Sequence, residues 1–327
     1  MAHTPGLKAA LKRGALIAAA NWPLVIVQFV TESVLKVLLA VPIVGGAFLV
    51  ALLLDTSLTD LLSGDVRDIV TSILSALMAS PVALTAFIAS GLLVLVCGSM
   101  LTFVVKGGTV ALLAEAERVA GPIDRPPLRL ESLRRASVVA IDPFLDGCRR
   151  LWRRYLRIGF GLLLMYGITA AVYVAIVFGG YALVGNSAVL LGWTVTAAAA
   201  SSVLIVWITL LNFFYLMTQM VVAIEDVSVR KGVVMALAFV WGHLREVAGV
   251  FGVVLVTVVI ATAASILATA GLGLIAFVPL VGLAVLPLQL AAWLVRGIVF
   301  EYVALAALGA YLSHYRWYHS SSDIRVA

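Results

Sequence analysis

The chain has 327 residues, of which 63% are hydrophobic and 12% are charged, and its formal net charge is +6. Soluble domains average about 45–50% apolar residues, so this composition excludes a soluble globular protein and predicts an all-α polytopic membrane protein. The positive charge does not indicate a nucleic-acid partner, because the basic residues flank apolar runs and therefore report on membrane orientation.

The amino-terminal third predicts a short basic helix, a first span and a polar loop. Residues 7–20 form the basic helix, and the first span covers about Trp22 to Leu54. Pro42, inside this long run, indicates a kink or a switch from an interfacial to a spanning helix. Residues 55–80 are polar, with four aspartates, and predict an extracytoplasmic loop with its own surface helix.

Five more apolar runs are each long enough to cross a bilayer, which needs roughly 20 residues. Polar segments separate most of them, and the apolar stretch 271–287 is rich in Gly and Pro, so it predicts a tight loop or a re-entrant segment. The five runs lie at about 81–105, 158–183, 190–224, 246–270 and 288–312, with a cytoplasmic basic loop and interfacial helix at 118–157 and a second surface helix at 229–245. We therefore predict one integral membrane domain over residues 1–327.

The helix predicted from Phe144 to Arg157 places basic side chains on one face and apolar ones, including a tryptophan, on the other. This composition is typical of a helix at a membrane interface, where arginines bind anionic headgroups. The residues that we predict to contact lipid are Arg149, Arg150, Trp152, Arg153, Arg154 and Arg157.

The distribution of basic residues predicts the orientation. Ten arginines lie between Arg118 and Arg157, whereas the loop at 55–80 has Arg67 alone beside four aspartates. The positive-inside rule therefore predicts that both termini are cytoplasmic, in the plasma membrane of a bacterium, which is its inner membrane.

The chain also shows a weak internal repeat, in which a surface helix is followed by an apolar hairpin three times. The junctions lie at 20–23, 152–155 and 241–244. Residue identity between them is poor and their spacing is uneven, so the pattern alone indicates three helix-plus-hairpin units.

One stretch resembles a known family. Residues 221–227 (Val-Val-Ala-Ile-Glu-Asp-Val) are followed by Arg-Lys-Gly at 230–232 and by Trp-Gly-His-Leu-Arg-Glu at 241–246. This arrangement resembles the six-span membrane domain fused to some bacterial glycerophosphoryl diester phosphodiesterases, and its free-standing relatives. The resemblance implies six spans with amphipathic helices before the hairpins. It transfers no catalytic residue, since the chain has no separate catalytic domain.

Seven polar residues fall inside the predicted spans: Gln28, Glu32, Lys36, Asn212, Gln219, Arg296 and Glu301. Charges inside a bilayer are costly and often functional. Glu32 and Lys36 are spaced to neutralise each other on one helix, or to line a polar pathway. Arg296 and Glu301 are poorly spaced for such a pair, so each needs a partner on another helix. Asn212 and Gln219 predict inter-helical hydrogen bonds.

The residues offer no recognisable catalytic or metal site. The four histidines are dispersed and the two cysteines lack ligand spacing. We therefore expect no enzymatic activity, cofactor or metal, and predict a structural or accessory subunit of a membrane assembly that contacts anionic lipid and protein partners. The alternative is a transporter for a lipid or another hydrophobic molecule.

Overall fold

The computed structural model describes residues 6–53, 78–124, 130–183, 187–276 and 281–326, and every regular element in these ranges is an α-helix. Six of the helices are long and apolar enough to cross a membrane, which confirms the predicted all-α polytopic fold. The helices are α1 Leu7–Ala20, α2 Trp22–Leu53, α3 Pro81–Val119, α4 Leu130–Ala136, α5 Ile141–Leu183, α6 Ser187–Glu225, α7 Val229–Gly242, α8 Leu244–Ala276 and α9 Val281–Val326.

Several predicted boundaries differ from the structure. The interfacial helix and the third span are one unbroken helix, α5. The second surface helix ends at Gly242, so Arg245 belongs to the following span. Most of the stretch predicted as a loop or re-entrant segment is helical, at 271–276 and from Val281 onward. Most of the polar loop predicted at 55–80 lies outside the described residues.

The breaks after α1 and α7 have the same local geometry. Both helices are 14 residues long and both end in a single residue with similar backbone angles, Asn21 (φ −113°, ψ 37°) and His243 (φ −131°, ψ 38°). The backbone N–H of each donates to the carbonyl four residues earlier. The long spans α2 and α8 then begin at the next residue. These matching junctions support the first and third repeat units, whereas the second junction is continuous helix.

The three short amphipathic segments pack in a cyclic order. The amino-terminal part of α5 packs on α3, α7 packs on α6, and α1 packs on α9. Each segment thus contacts the second hairpin helix of the preceding unit, and the first unit closes on the last. We call the end of the bundle that contains α1, α7 and residues 141–157 the base.

Each of these crossings includes a glycine where the helices meet. Gly14 of α1 lies against the backbone of Gly309 in α9, and Gly108 of α3 lies against Phe144 and Cys148 of α5. Gly232 of α7 lies against a valine of α6. A side chain at such a position would meet the neighbouring helix, so small residues are needed for close packing.

The second hairpin helices, α3, α6 and α9, contact one another along the centre of the bundle. Phe213 of α6 packs edge-to-face on Tyr311 of α9, and Phe103 of α3 does the same with Tyr215 of α6. The hydrophobic core is concentrated toward the base, as the fully buried Leu113, Met220 and Leu312 show. Away from the base most side chains of the spans are exposed, as expected of surfaces that face lipid.

Candidate functional site

Charged residues from three different spans, α2, α3 and α9, meet next to the densely packed base, where the spans become more exposed. Glu32 of α2 lies 3.7 Å from Lys36, one turn further along, and 3.9 Å from Lys106 of α3. The sequence predicted the pair with Lys36, but it gave no sign of Lys106. Since Lys106 also lies over the ring of Tyr215, at 5.8 Å from the centroid, this cation connects α2, α3 and α6.

The two charged residues of the sixth span join the same site. Glu301 of α9 and Glu32 of α2 both line a groove between α2, α8 and α9. The groove has a volume of about 440 Å³ and also contains Lys36 and Arg296, with Phe29, Thr262, Trp293, Gly297 and Phe300 completing its wall. We call it the charged groove.

Arg296 is held in this groove by an aromatic ring and not by an acid. Its guanidinium lies 5.7 Å from the centroid of Phe300, an arrangement typical of a cation–π contact. Among the described residues Arg296 forms no salt bridge, and neither does Glu301. The charged neighbours of Glu301 on other helices are Glu32, Lys36 and Lys106, whereas no charged partner for Arg296 is found in the described ranges.

A second groove of about 440 Å³ continues from the first along α8 and α9. It shares Trp293, Arg296 and Phe300 with the charged groove, and its remaining wall is mainly apolar, with small residues on α8 that leave the space open: Ala261, Ala264, Ser265, Ala268 and Thr269. We call it the apolar groove. Arg296 and its aromatic neighbours thus lie where a charged compartment meets an apolar one.

Five charged side chains at this position oppose membrane insertion unless they are satisfied. Glu32 lies ten residues beyond the start of α2, about 15 Å along a helix that rises 1.5 Å per residue. On insertion scales a charged residue at the centre of a spanning helix costs about 2.5–3.5 kcal/mol. Pairing with Lys36 and Lys106 offsets this cost for Glu32, but Arg296 and Glu301 have no such pairing among the described residues.

The other predicted intramembrane residues serve helix packing. Gln28 is buried and donates its Nε2–H to Oγ1 of Thr109 at 2.6 Å, which connects α2 to α3. The side-chain oxygen of Asn212 accepts a hydrogen bond from Tyr166 of α5 at 2.6 Å. Gln219 is buried, and its backbone carbonyl accepts the hydroxyl of Tyr155 at 2.9 Å. Asn212 thus makes the inter-helical bond predicted for it, and Gln219 makes one through its backbone.

The helix with the basic face has a protein partner for much of its apolar face. Leu151 and Tyr155 are fully buried and pack on Gly107 of α3. Trp152 stays 41% exposed, with the guanidinium of Arg153 at 5.2 Å from its ring. Arg154 pairs with Asp226, at the end of α6. The remaining predicted arginines, Arg149, Arg150, Arg153 and Arg157, are exposed and form no salt bridge within the described ranges.

The base also contains a buried ion cluster that could not be predicted from the sequence. Glu117 of α3, 7% exposed, lies 3.0 Å from Nε of Arg13 in α1 and 3.1 Å from Arg316 in α9. Arg13 also donates to the backbone carbonyls of Glu117 and Gly121. We call these three side chains the Glu117 cluster. More than 100 residues separate each arginine from the acid in the sequence, so no local spacing could have revealed the contact.

Asn21 fixes the same part of the base through neutral hydrogen bonds. Its Nδ2 donates to the carbonyls of Ile17 at 2.9 Å and Ala136 at 2.8 Å, and its Oδ1 accepts from the N–H of Val138 at 3.0 Å. The side chain is fully buried. It therefore joins α1 to the segment between α4 and α5 at the point where α1 ends.

Within the described ranges, no three His, Cys, Asp or Glu side chains are placed to hold a metal ion. A scan against protein-family models, a search of curated proteins and a search of solved structures found no match to the chain. The resemblance to the phosphodiesterase-associated membrane domain therefore stays a prediction from the sequence.

Proposed function

We propose that the protein is a non-catalytic membrane protein that binds an individual lipid, or a similar amphiphile, in the charged and apolar grooves. The observation that supports this role is the junction at Trp293, Arg296 and Phe300, where both grooves share a wall. An amphiphile has the same two parts in the same order, a polar headgroup followed by an apolar chain.

The two grooves have the composition expected of a binding site. Ligand sites are concave, largely apolar and contain a few well-placed polar groups. Here the main polar group is Arg296, which has no salt bridge in the described ranges and whose membrane location is costly without a partner. A bound headgroup would supply that partner, and the alanine-lined surface of α8 leaves room for a chain. Such binding fits a transport role for lipids, and it also fits a protein that keeps a lipid in place.

A second candidate is an accessory subunit that contacts anionic lipid at the base, and it is favoured by the exposed arginines of α5. Because Leu151 and Tyr155 fix this helix on α3, the basic face has a set position relative to the bundle. Attraction to anionic headgroups contributes about 1 kcal/mol of membrane-binding free energy for each basic residue near the surface. A protein partner in a membrane assembly could dock at the same face.

If a lipid binds in the charged groove, a large side chain at Thr262, in the wall of the groove, should displace it. We expect Thr262→Trp, which fills the charged groove, to remove one lipid that the wild-type protein retains through purification in mild detergent. Val256→Trp is the matched control, because it introduces the same side chain at an exposed position of the same helix, α8, outside both grooves. Native mass spectrometry counts the lipids per protein, and equal counts in the two variants would disprove groove binding.

In the same measurement, Arg150→Gln with Arg153→Gln distinguishes the two candidates. We expect this double variant to lose anionic lipid while the lipid in the groove is kept. Unchanged anionic lipid would argue against the contact proposed for the basic face.

The proposed orientation places the base, both termini and the basic loop in the cytoplasm of a bacterial cell. In a chain whose Cys97 and Cys148 are replaced by Ser, we expect cysteines introduced at positions 63 and 186 to react with an impermeant maleimide on intact cells. A cysteine at Ser137, exposed at the base, should react only after permeabilisation. Labelling of position 137 on intact cells would reverse the proposed orientation.

A further inference from the structure

We infer that the lipid in the two grooves is a phospholipid with one negative charge, such as phosphatidylglycerol, from the leaflet on the side of the base. This inference rests on the proposed lipid binding and specifies the headgroup and the leaflet of that lipid. Two observations support it. The charged groove has an excess of positive charge, and the two grooves together have the depth and the direction of a lipid in that leaflet.

The charged side chains around the groove are positive in sum. The groove wall contains two carboxylates and two cations, and a third cation lies 3.9 Å from one of the carboxylates. The carboxylates are Glu32 and Glu301, the cations of the wall are Lys36 and Arg296, and the third cation is Lys106. One negative charge from a ligand would make this site neutral and so reduce the cost of placing it in the membrane.

Arg296 is the cation that remains for the ligand. The two lysines serve the two carboxylates, because both lie within 4 Å of Glu32 and both also attract Glu301. Arg296 forms no salt bridge in the described part of the chain, and its guanidinium lies 5.7 Å from the ring of Phe300. Phosphate oxygens suit the planar fork of a guanidinium, which binds two of them at once. The phosphodiester of a phospholipid therefore matches Arg296.

Other headgroups would satisfy the site less well. A zwitterionic headgroup brings an ammonium group with its phosphate, so the excess of positive charge would remain. An uncharged headgroup such as that of diacylglycerol would leave Arg296 unpaired in the membrane, which is costly. A headgroup with two negative charges would reverse the sign of the excess. A single negative charge is thus the best match.

The charged groove lies near the headgroups on the side of the base. Glu32 lies 21 residues before the end of α2 at Leu53, and Glu301 lies 20 residues after the start of α9 at Val281. Both carboxylates are thus about 30 Å from the far ends of their helices, a distance that matches the thickness of the hydrocarbon core. Arg296 lies five residues closer to the centre, so a headgroup bound to it lies slightly deeper than its neighbours in the leaflet.

The apolar groove extends from this boundary toward the centre of the membrane. On α8, which leads away from the base, its wall runs from Ala261 to Leu272, and on α9 it runs from Phe300 back to Gln289. Each stretch is about 16 Å long, roughly half the thickness of the hydrocarbon core. The apolar groove therefore has the direction and the length of an acyl chain in the leaflet on the side of the base.

The experiment compares phosphatidylglycerol, phosphatidylethanolamine and diacylglycerol, all with dioleoyl chains, on the delipidated protein by native mass spectrometry. Binding to the groove is taken as the difference between wild type and Thr262→Trp. We expect phosphatidylglycerol to bind there about tenfold more tightly than phosphatidylethanolamine, which is the scale of one charge-assisted hydrogen bond. Diacylglycerol should bind more weakly than either phospholipid.

Two charge variants should change this preference in opposite directions. Arg296→Gln is expected to abolish the preference for phosphatidylglycerol over phosphatidylethanolamine. Glu32→Gln is expected to increase it, because the variant removes a negative charge from the groove wall. Arg150→Gln, on the basic face of α5, is the control and should leave the preference intact. Since a general loss of folding cannot increase a preference, an unchanged preference in both groove variants would contradict the charge assignment.

A variant at the far end of the apolar groove tests the direction of the chain. Leu272→Trp should weaken binding of the dioleoyl phosphatidylglycerol but not of a dihexanoyl one, whose short chains end before this position. Equal weakening of both lipids, or of neither, would overturn the assigned leaflet.

The outcomes separate this inference from the proposal beneath it. If Thr262→Trp removes a lipid but phosphatidylethanolamine binds the groove as tightly as phosphatidylglycerol, the anionic assignment is wrong and lipid binding stands. If Thr262→Trp removes no lipid, both are wrong. Oleate has the same charge on a single chain, and displacement of phosphatidylglycerol by an equal concentration of oleate would overturn the assignment of a phospholipid.

Discussion

Glu117→Gln is expected to lower the stability of the protein more than any other single change of charge at the base. The variant leaves Arg13 and Arg316 beside a neutral amide in a buried position. Removing one partner of a buried ion pair typically costs about 3–5 kcal/mol, since the remaining charge is uncompensated. Glu117 of α3 holds together α1 and α9, which come from opposite ends of the chain. Its loss should therefore loosen the packing of all three helices at the base. Thermal unfolding of the purified protein in detergent measures the effect.

Glu115→Gln is the matched control for this prediction. Glu115 lies two residues earlier on the same helix and pairs with Arg118, but its side chain is 44% exposed. Surface pairs of this kind contribute little to stability, so the melting temperature should barely change. A double-mutant cycle with Arg316→Gln should recover part of the loss caused by Glu117→Gln, because it removes the cation that has lost its ion pair, whereas Arg13 keeps Asp124 at 3.6 Å. Similar losses for Glu115→Gln and Glu117→Gln would contradict the role assigned to the cluster.

Gly14→Ala is expected to displace α1 from α9. The added methyl group would meet the backbone of Ala306 and Ala310, which unlike a flexible side chain cannot turn away. Overpacking in a well-packed site costs about 1–3 kcal/mol, and the upper end applies when backbone must move. We therefore expect a clear drop in the melting temperature and faster proteolysis of the amino-terminal segment, although alanine is the better helix former.

Gly161→Ala provides the comparison, because no atom would lie within 4 Å of a methyl group there. In that open position on α5 the change should be neutral or slightly stabilising, by about 1 kcal/mol at most, since only helix propensity is affected. If both glycine variants unfolded at the same temperature, the close approach of α1 and α9 would have no energetic importance.

The six spans could be predicted from the sequence because a bilayer requires long apolar helices whatever their neighbours are. Tertiary contacts gave no comparable signal. Glu32 and Lys36 were visible as a pair through their spacing of four residues, whereas Lys106 reaches Glu32 from another helix. Glu117 looked like an ordinary acid at the end of a span, because its two arginines lie near opposite ends of the chain.

The amphipathic pattern alone does not show whether protein or lipid covers the apolar face of a helix. The apolar residues of Phe144–Arg157 were interpreted as a membrane-interface face, since a helix that packs on protein and one that lies in lipid need the same side chains. In the structure Leu151 and Tyr155 pack on α3 while Trp152 stays exposed. Only the position of the neighbouring helix decides between the two, and Gly107 and Gly108 were the residues that could have indicated it.

The cyclic packing of the base imposes an order on biosynthesis. When α5 and α7 leave the ribosome, their docking helices α3 and α6 have already been made, but α1 must wait for α9. At about 5–20 residues per second, this wait lasts roughly 15 to 60 seconds. During that time the apolar face of α1 needs shelter in the headgroup region or in the insertion machinery. Ring closure is thus a late event, and Glu117 gains its second arginine only when the last described helix has been translated.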